Sequence, residues 1–378
     1  MSLRGKQRWS VAGFFFLAGI LAASWNARIP DVQQHLLLNN AQWGTVLVAL
    51  PAGLVTGLFL SSWLVARFGT ARVTLFTCIL ACILLLLIGF AADRISLMIV
   101  LFFVGFNRTI MNISINTRSV EVQKLYDKPI ISTFHGIWSL ACFVAAGIGT
   151  VMIIFDVIPK IHFALIAVLG IIGSLLNRGN MKEGHEAPEK KPFLIRPDAY
   201  LFLLGLIAFC GMAAENTMFD WSINYYDKII QTDKSWRTAG YTCFIITMSM
   251  GRLVGDRLIH RYGALRMLAF NGFLMATGFA IASLMPTLII ASLGFLLIGF
   301  GDSSIVPIVY SLAGKAKMPM AYAIASVTTI GYLGFLINPL IVGFVSEALN
   351  MRWAFGLMAV FAIGIALLSA LVSKRADK

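Results

Sequence analysis

The sequence predicts an all-α integral membrane protein in which twelve transmembrane helices form two six-helix bundles. Three observations lead to this prediction. Of the 378 residues, 59% are hydrophobic and only 12% are charged. The apolar residues fall into about twelve runs, and one long polar segment divides these runs into two sets of six. Soluble domains carry ~25% charged residues, so a chain this apolar is expected to fold in lipid.

Each run is long enough to cross the bilayer core, which takes ~20 helical residues. Within the first predicted span, residues 9–27, the apolar run over residues 11–23 is followed by Ser24-Trp25-Asn26 and not by a small-residue cleavage site. We therefore interpret it as a retained span and not as a signal peptide. The other predicted spans are residues 41–66, 72–91, 95–117, 131–154, 160–176, 199–226, 236–260, 264–284, 287–313, 320–347 and 351–373.

The polar segment 177–198 is rich in charge and contains three prolines, which is typical of a linker. It therefore predicts an N-terminal bundle over residues 1–176 and a C-terminal bundle over residues 199–378.

Lysine and arginine in the loops predict the orientation of the chain. With the N-terminus inside, 22 of these residues fall on the cytoplasmic side and seven on the opposite side, while Arg108 lies within a span. We therefore expect a multi-pass protein of the bacterial inner (cytoplasmic) membrane with both termini in the cytoplasm. The net charge of +13 is explained by this asymmetry, so no nucleic-acid partner is expected.

An internal repeat supports the division into two halves. The loop after span 2 contains Arg67, Gly69 and Arg72, and the loop after span 8 contains Arg261, Gly263 and Arg266 at a constant offset of 194 residues. The glycine that begins each motif, Gly57 or Gly251, keeps the same offset. Four coincident positions without a gap favour duplication over chance.

At these loops the sequence resembles the major facilitator superfamily, whose signature joins a glycine, an acidic residue and R-x-G-x-x-R. The C-terminal copy matches this signature well, whereas the N-terminal copy is degenerate and lacks the acidic residue. The resemblance implies two pseudo-symmetric bundles, alternating access, and a gate near the helix ends in which Asp256 faces a helix N-terminus. The implied gating residues are Arg67, Gly69, Arg72, Gly251, Arg252, Asp256, Arg257, Arg261 and Gly263.

A narrower resemblance links the chain to the bacterial permease branch that includes YbjJ and MosC. The residues that carry it are Ser24-Trp25 with Arg28 and Pro30, His135-Gly136, Glu215, and Asp220-Trp221-Ser222. This resemblance implies a small polyhydroxylated substrate.

Arg108 lies near the middle of the fourth predicted span, and Asn112 and Asn116 follow at helical spacing. An arginine within a span costs ~2.5–3.5 kcal/mol on insertion scales and so avoids lipid. The stripe is expected to line a substrate cavity, with a network between helices as the alternative. The full set of predicted substrate-binding residues is Trp25, Asn26, Arg28, Arg108, Asn112, Asn116, Trp138 and Asn338.

Acidic residues and a histidine within the spans are candidates for proton coupling, because desolvation disfavours the charged form of a carboxyl group. Glu215 and Asp302 are the main candidates, and a static pair with a basic residue is the alternative. Asp220 lies near the end of a span, so it is either a further candidate for proton coupling or a solvated residue. His135 is either a relay or a packing residue.

Other classes of function find no support in the sequence. There is no P-loop for ATP and no Cys/His cluster for a metal, and the five cysteines are interpreted as packing residues. No cofactor and no enzymatic activity are expected. The chain is predicted to be a monomeric symporter that takes up a small polar solute (a sugar, a polyol or an organic anion) with protons. A proton-driven exporter of drugs or metabolites is the alternative, and a receptor or intramembrane enzyme is disfavoured.

Overall fold

The computed structural model describes residues 3–126, 130–178, 198–316 and 320–376, and within these ranges all regular secondary structure is helical. Eleven helices there are long and apolar enough to cross a membrane. A further helix, α10 (Ala239–Tyr262), falls short because it carries Arg252, Asp256, Arg257 and Arg261. The predicted all-α transmembrane fold class is confirmed.

The N-terminal part of the chain contains eight α-helices in its described residues: α1 (Leu3–Ala27), α2 (Ile29–His35), α3 (Asn40–Leu47), α4 (Ala49–Phe68), α5 (Thr70–Ile88), α6 (Arg94–Gln123), α7 (Ile131–Ile154) and α8 (Pro159–Asn177). The C-terminal part contains α9 (Ala199–Tyr225), α10, α11 (Ala264–Leu284), α12 (Leu288–Asp302), α13 (Ile305–Ala313), α14 (Met320–Ala348) and α15 (Met351–Ala376).

The chain forms two compact units. The first comprises residues 1–38 and 46–189, and the second comprises residues 39–45 and 190–378. Residues 39–45, at the start of the second predicted span, thus group with the C-terminal helices. Most of the predicted linker, residues 179–197, lies outside the described residues.

Helix packing follows the same plan in both units. In the first unit the main pairs are α4 with α6, α1 with α7, α5 with α6, α5 with α8, and α1 with α8. In the second unit the corresponding pairs are α10 with α12, α9 with α14, α11 with α12, α11 with α15, and α9 with α15. Each unit therefore repeats one arrangement of helices, as the sequence repeat predicts.

The repeated loop motif also adopts one backbone turn twice. Gly69 has φ 83° and ψ 153°, and Gly263 has φ 86° and ψ 148°. Each glycine ends one helix by donating its N–H to the carbonyl four residues earlier, over 2.9 Å in both loops. This region of φ and ψ is essentially restricted to glycine, which explains why both copies have glycine there.

Prolines interrupt two of the predicted spans, and a third proline stands at the start of the short helix after the first span. The ring of a proline within a helix clashes with the carbonyl four residues earlier. Pro51 accounts in this way for the break between α3 and α4 at Val48, and Pro307 for the break between α12 and α13 at Ser303–Ser304. Pro30 lies at the start of the short helix α2, after the chain turns at Arg28.

Each unit has an apolar interior and an apolar exterior. In the second unit Tyr225, Phe279, Phe295 and Phe355 form an aromatic core in which the rings of Tyr225 and Phe355 are 4.3 Å apart. Exposed apolar side chains such as Leu169 and Leu176 line α8. A protein that exposes such a surface is suited to lipid and not to water.

One polar cap lies in a loop between helices. Asp93 begins α6 and accepts from the Ser96 N–H over 2.8 Å, while Ser96 accepts from the Asp93 N–H. The hydrogen bonds that Ser96 gives to the Asp93 carboxylate, from its backbone N–H foremost and also from its side chain, lower the pKa of Asp93 below its usual value.

Candidate functional site

The second unit brings together two carboxyl groups and one guanidinium that are far apart in the sequence. Glu215 lies on α9, Arg252 on α10, and Asp302 at the last residue of α12. An Arg252 Nη2 atom lies 3.5 Å from Glu215 Oε1. Glu215 and Arg252 are also the charged groups that act on Asp302. The sequence places Arg252 in the gating motif and the two acids among the proton-coupling candidates, so the structure joins two predicted sets.

The break in span 10 gives this cluster its geometry. Helix α12 ends at Asp302 and α13 begins at Ile305, so Ser303 and Ser304 are not helical. A side chain on Gly251 would collide with Ser303. Helix α10 therefore packs directly against the break and carries Arg252 to the side of Glu215.

The charges of the cluster do not balance. Asp302 is only 5% exposed, and its Oδ2 atom has no hydrogen-bond partner within the described ranges. With both acids ionised, the group would have a net charge of −1. Burial of an uncompensated charge is costly, and one proton would neutralise the cluster. The arrangement is thus chemically suited to binding and releasing a single proton.

A second polar network lies further along α9. Asn338 is fully buried on α14, and its Nδ2 donates to Asn216 Oδ1 and to Thr217 Oγ1, each over 3.0 Å. Asn216 in turn donates to Asp220 over 2.7 Å. These bonds tie α9 to α14 next to Pro339. Asp220 and Asn338, which the sequence assigns to proton coupling and to substrate, are therefore joined through Asn216.

The predicted polar stripe is present on α6 in the first unit. Arg108 and Asn116 are half-buried, and Asn112 is exposed. Asn116 donates to the Asn112 carbonyl over 2.8 Å. Across the described parts of the chain, the Arg108 guanidinium has no hydrogen-bond acceptor and no ion-pair partner. Its five N–H donors are thus available to a ligand.

Arg28 lies in a different environment from the one expected of a solute contact. It is 3% exposed. Its Nε donates to His162 Nδ1 over 3.2 Å, and its Nη1 to Asp31 over 2.8 Å. Its Nη2 donates to the Val157 carbonyl over 2.5 Å. Arg28 therefore fastens the end of α1 to the start of α8.

The other predicted residues of the first unit lie in or beside helix contacts. Trp25 and Asn26 are 5% and 7% exposed. Trp138 is half-buried against the core between α1 and α7. His135 is exposed, with its ring centroid 5.2 Å from that of Phe15.

Apart from Gly69 and Gly251, which are buried, the predicted gating residues are exposed: Arg67, Arg72, Arg252, Asp256, Arg257, Arg261 and Gly263. A carboxylate at a helix N-terminus, as expected of Asp256, is found in the first unit instead. There Glu121 of α6 accepts a hydrogen bond over 3.0 Å from Oγ1 of Thr70, the first residue of α5. Arg118 also donates to Glu121, over 2.5 Å. Sequence reasoning missed this group. Arg118 and Glu121 are three residues apart on one helix, and that spacing was the available signal.

His162 was also missed, although a histidine within an apolar span is a visible signal. Its contact with Arg28 joins residues 134 positions apart, which no local pattern can predict. Within the described residues, no group of three or more His, Cys, Asp or Glu side chains is placed to hold a metal ion.

Comparisons with known proteins agree with this architecture. A family model described as Major Facilitator Superfamily matches residues 8–328. An uncharacterised MFS-type transporter of Yersinia pestis is 31% identical over 353 residues, which cover 93% of this chain and 92% of that protein. The membrane protein MosC of Rhizobium meliloti is 26% identical over 362 residues, 94% of this chain and 87% of MosC. The crystal structure of the nucleoside transporter NupG superposes with a TM-score of 0.78 at 14% identity, covering 99% of this chain and all of NupG (100%). The resemblance drawn from the loop motif is confirmed.

Proposed function

We propose that this chain, which belongs to the Major Facilitator Superfamily, is a secondary active transporter that takes up a small polar solute together with protons. Its relatives and its fold are those of transporters. We further propose that it acts in the bacterial inner membrane by alternating access, with both termini in the cytoplasm.

The proposal of proton coupling depends on one observation, the cluster of Glu215, Arg252 and Asp302. Glu215 pairs with the Arg252 guanidinium, which also acts electrostatically on Asp302, and Asp302 is buried with an unpartnered oxygen in the described structure. One proton would cancel the residual negative charge, and its loss would restore it. A buried group that changes charge in this way can link proton movement to a conformational change.

The solute is proposed to contact the stripe of Arg108, Asn112 and Asn116. A guanidinium with open donors and two amides can bind hydroxyl or carboxylate oxygens. This chemistry fits a sugar, a polyol or an organic anion. The resemblance of the sequence to the permease branch of MosC implies a small polyhydroxylated solute, which belongs to the same chemical class. Uptake is proposed over export because span 5 lacks the Gly-Pro pair often found in drug/proton antiporters of the family.

Transport into proteoliposomes under an imposed proton gradient tests the proposal. Radiolabelled sugars, polyols and organic anions are supplied outside, and we expect one of them to accumulate when the lumen is alkaline. For Glu215→Gln and Asp302→Asn, we expect gradient-driven accumulation to fall about tenfold or more, ~1.4 kcal/mol or more in driving force. Exchange of solute across the membrane without a gradient should persist.

Asp198→Asn is the matched control, because Asp198 is an exposed acid that caps the same helix and asparagine caps equally well. It should transport at the original rate. Accumulation driven by an acidic lumen would instead support the exporter. Flux that is independent of pH in every variant would overturn proton coupling.

A further inference from the structure

A narrow groove runs along the basic end of α1 in the first unit. One wall consists of Gly5, Arg8, Trp9 and Ala12. These positions are spaced by three, one and three residues, so they form a single stripe on one helix face. The groove has a volume of about 280 Å³, and we name it the α1–α7 groove.

The opposite wall comes from α7, and it is apolar at depth. Phe134 is fully buried and stacks on Phe15, while Ile137 is half-buried and Thr133 lies exposed at the edge. Tyr126, which follows α6, also lines the groove. Gln123 positions this loop by donating to the Tyr126 carbonyl over 3.4 Å and accepting from the Ile130 N–H over 2.6 Å. The groove is therefore framed by ordered elements on both sides.

Among the described residues that line the groove, only Arg8 is charged. Its guanidinium carbon lies 5.6 Å from the centroid of the Tyr126 ring. Considering only the residues that the structure describes, Arg8 has no hydrogen-bond acceptor. Contact through the face of a guanidinium leaves its N–H edge free, and that edge matches two oxygens of a phosphate.

The surroundings of the groove match the surface of a membrane. Trp9 is 65% exposed, and Arg4 and Lys6 are exposed on the same end of the helix. Tryptophan and basic residues are typical of the interface, where basic residues attract anionic lipids. An apolar slot with a guanidinium at its edge is complementary to an acyl chain joined to a phosphate.

We propose that the α1–α7 groove binds one anionic phospholipid, with the headgroup phosphate on Arg8 and an acyl chain between α1 and α7. This site lies outside the Glu215–Arg252–Asp302 cluster and the Arg108 stripe. Lipid binding is measured without transport, so its failure is distinct from a failure of the proposed function.

Lipid titration of the full-length protein in detergent, followed by native mass spectrometry, tests the headgroup. The probes are dioleoyl-phosphatidylglycerol and dioleoyl-phosphatidylcholine, which share acyl chains and differ in net charge. We expect the anionic lipid to bind about tenfold more tightly, and Arg8→Gln to remove that preference. Lys6→Gln removes the same charge from the same helix end but outside the groove stripe, and should change the dissociation constant less than about twofold.

Thr133→Trp tests whether an acyl chain occupies the groove. The larger side chain fills the groove from its exposed edge and should weaken the binding of both lipids. Thermal unfolding in detergent checks that each variant is folded, and the Arg8 and Lys6 pair decides the question if Thr133→Trp is unstable. Equal binding of the two lipids, or equal effects of Arg8→Gln and Lys6→Gln, would mean ordinary annular lipid and overturn the proposal. Displacement by millimolar inorganic phosphate would overturn it as well, because the ligand would then be free phosphate.

Discussion

Arg28 illustrates what a single residue can and cannot reveal in this chain. Its position at the end of a predicted span, beside Trp25 and Asn26, predicts a contact with solute. In the structure its three donor nitrogens are engaged by His162, Asp31 and the Val157 carbonyl. Because Arg28 donates to His162 Nδ1, the neutral imidazole carries its proton on Nε2. Asp31 is three residues from Arg28, so its spacing was visible in the sequence. His162 and Val157 are 134 and 129 positions away, so the sequence did not indicate them.

Replacement of Arg28 should therefore affect stability first. Arg28→Gln leaves His162 and the Val157 carbonyl without their buried donor, at a cost of about 3 kcal/mol. Thermal unfolding of the purified protein in detergent should show a clearly lower unfolding temperature for this variant. Arg94→Gln is the control, since Arg94 is half-buried and has no hydrogen-bond partner among the described residues. A variant of Arg28 that keeps its stability but loses solute binding would restore the prediction from sequence.

Asp302 and Arg108, unlike Arg28, are residues whose importance the sequence indicated correctly. Both were identifiable from the sequence, because a charged group in an apolar span is rare and needs a reason. The partners of Asp302 were not identifiable, since Glu215 and Arg252 lie on α9 and α10 and meet Asp302 only through packing. Residue type thus predicts which positions matter, and tertiary structure decides whether each is bound or open.

At the scale of elements, hydropathy predicted where helices run, but not where they break. The second and tenth predicted spans are each two helices in the structure, divided at Val48 and at Ser303–Ser304. Pro51 and Pro307 stand four residues beyond the interrupted carbonyls, so the signal was present in the sequence. Proline alone does not decide the outcome, because Pro339 lies inside α14 without ending it. Neighbouring helices determine which prolines are accommodated.

The turn at Gly263 gives a test at this scale that separates backbone conformation from space. Nothing lies within 4 Å of a Cβ placed on Gly263, yet its φ is +86°. Gly263→Ala should therefore destabilise the second unit by about 1–3 kcal/mol through backbone strain alone. Gly136→Ala is matched to it, because Gly136 is equally open but helical. Alanine is favoured over glycine in a helix, so that variant should be at least as stable as the parent.

Equilibrium unfolding of both glycine variants in a mixed detergent series gives the comparison. Equal stability of Gly263→Ala and the parent would show that the turn can relax to a negative φ. The glycine in both turns would then have been retained from the duplicated sequence without being required for stability.

At the scale of the whole molecule, duplication was the most informative feature of the sequence. The offset of 194 residues between the loop motifs is matched by the two glycine turns and by five corresponding helix pairs. Sequence composition could not reveal that residues 39–45 group with the second unit, because that assignment depends on tertiary contacts. Their contacts include the Asn40 N–H with Glu347 over 2.9 Å, between residues 307 positions apart.

The distribution of lysine and arginine predicts which side of the membrane each loop faces. Lysine and arginine resist translocation, so the side with 22 of them is expected to remain in the cytoplasm. His260 is exposed beside the Gly263 turn, and Ala92 is exposed in the loop before α6. In a variant lacking the five native cysteines, Ala92→Cys should react with an impermeant maleimide on intact cells. His260→Cys should react only after the membrane is opened, because its loop belongs to the basic side. The reverse labelling would invert the orientation, and with it the sides on which solute and protons are proposed to enter.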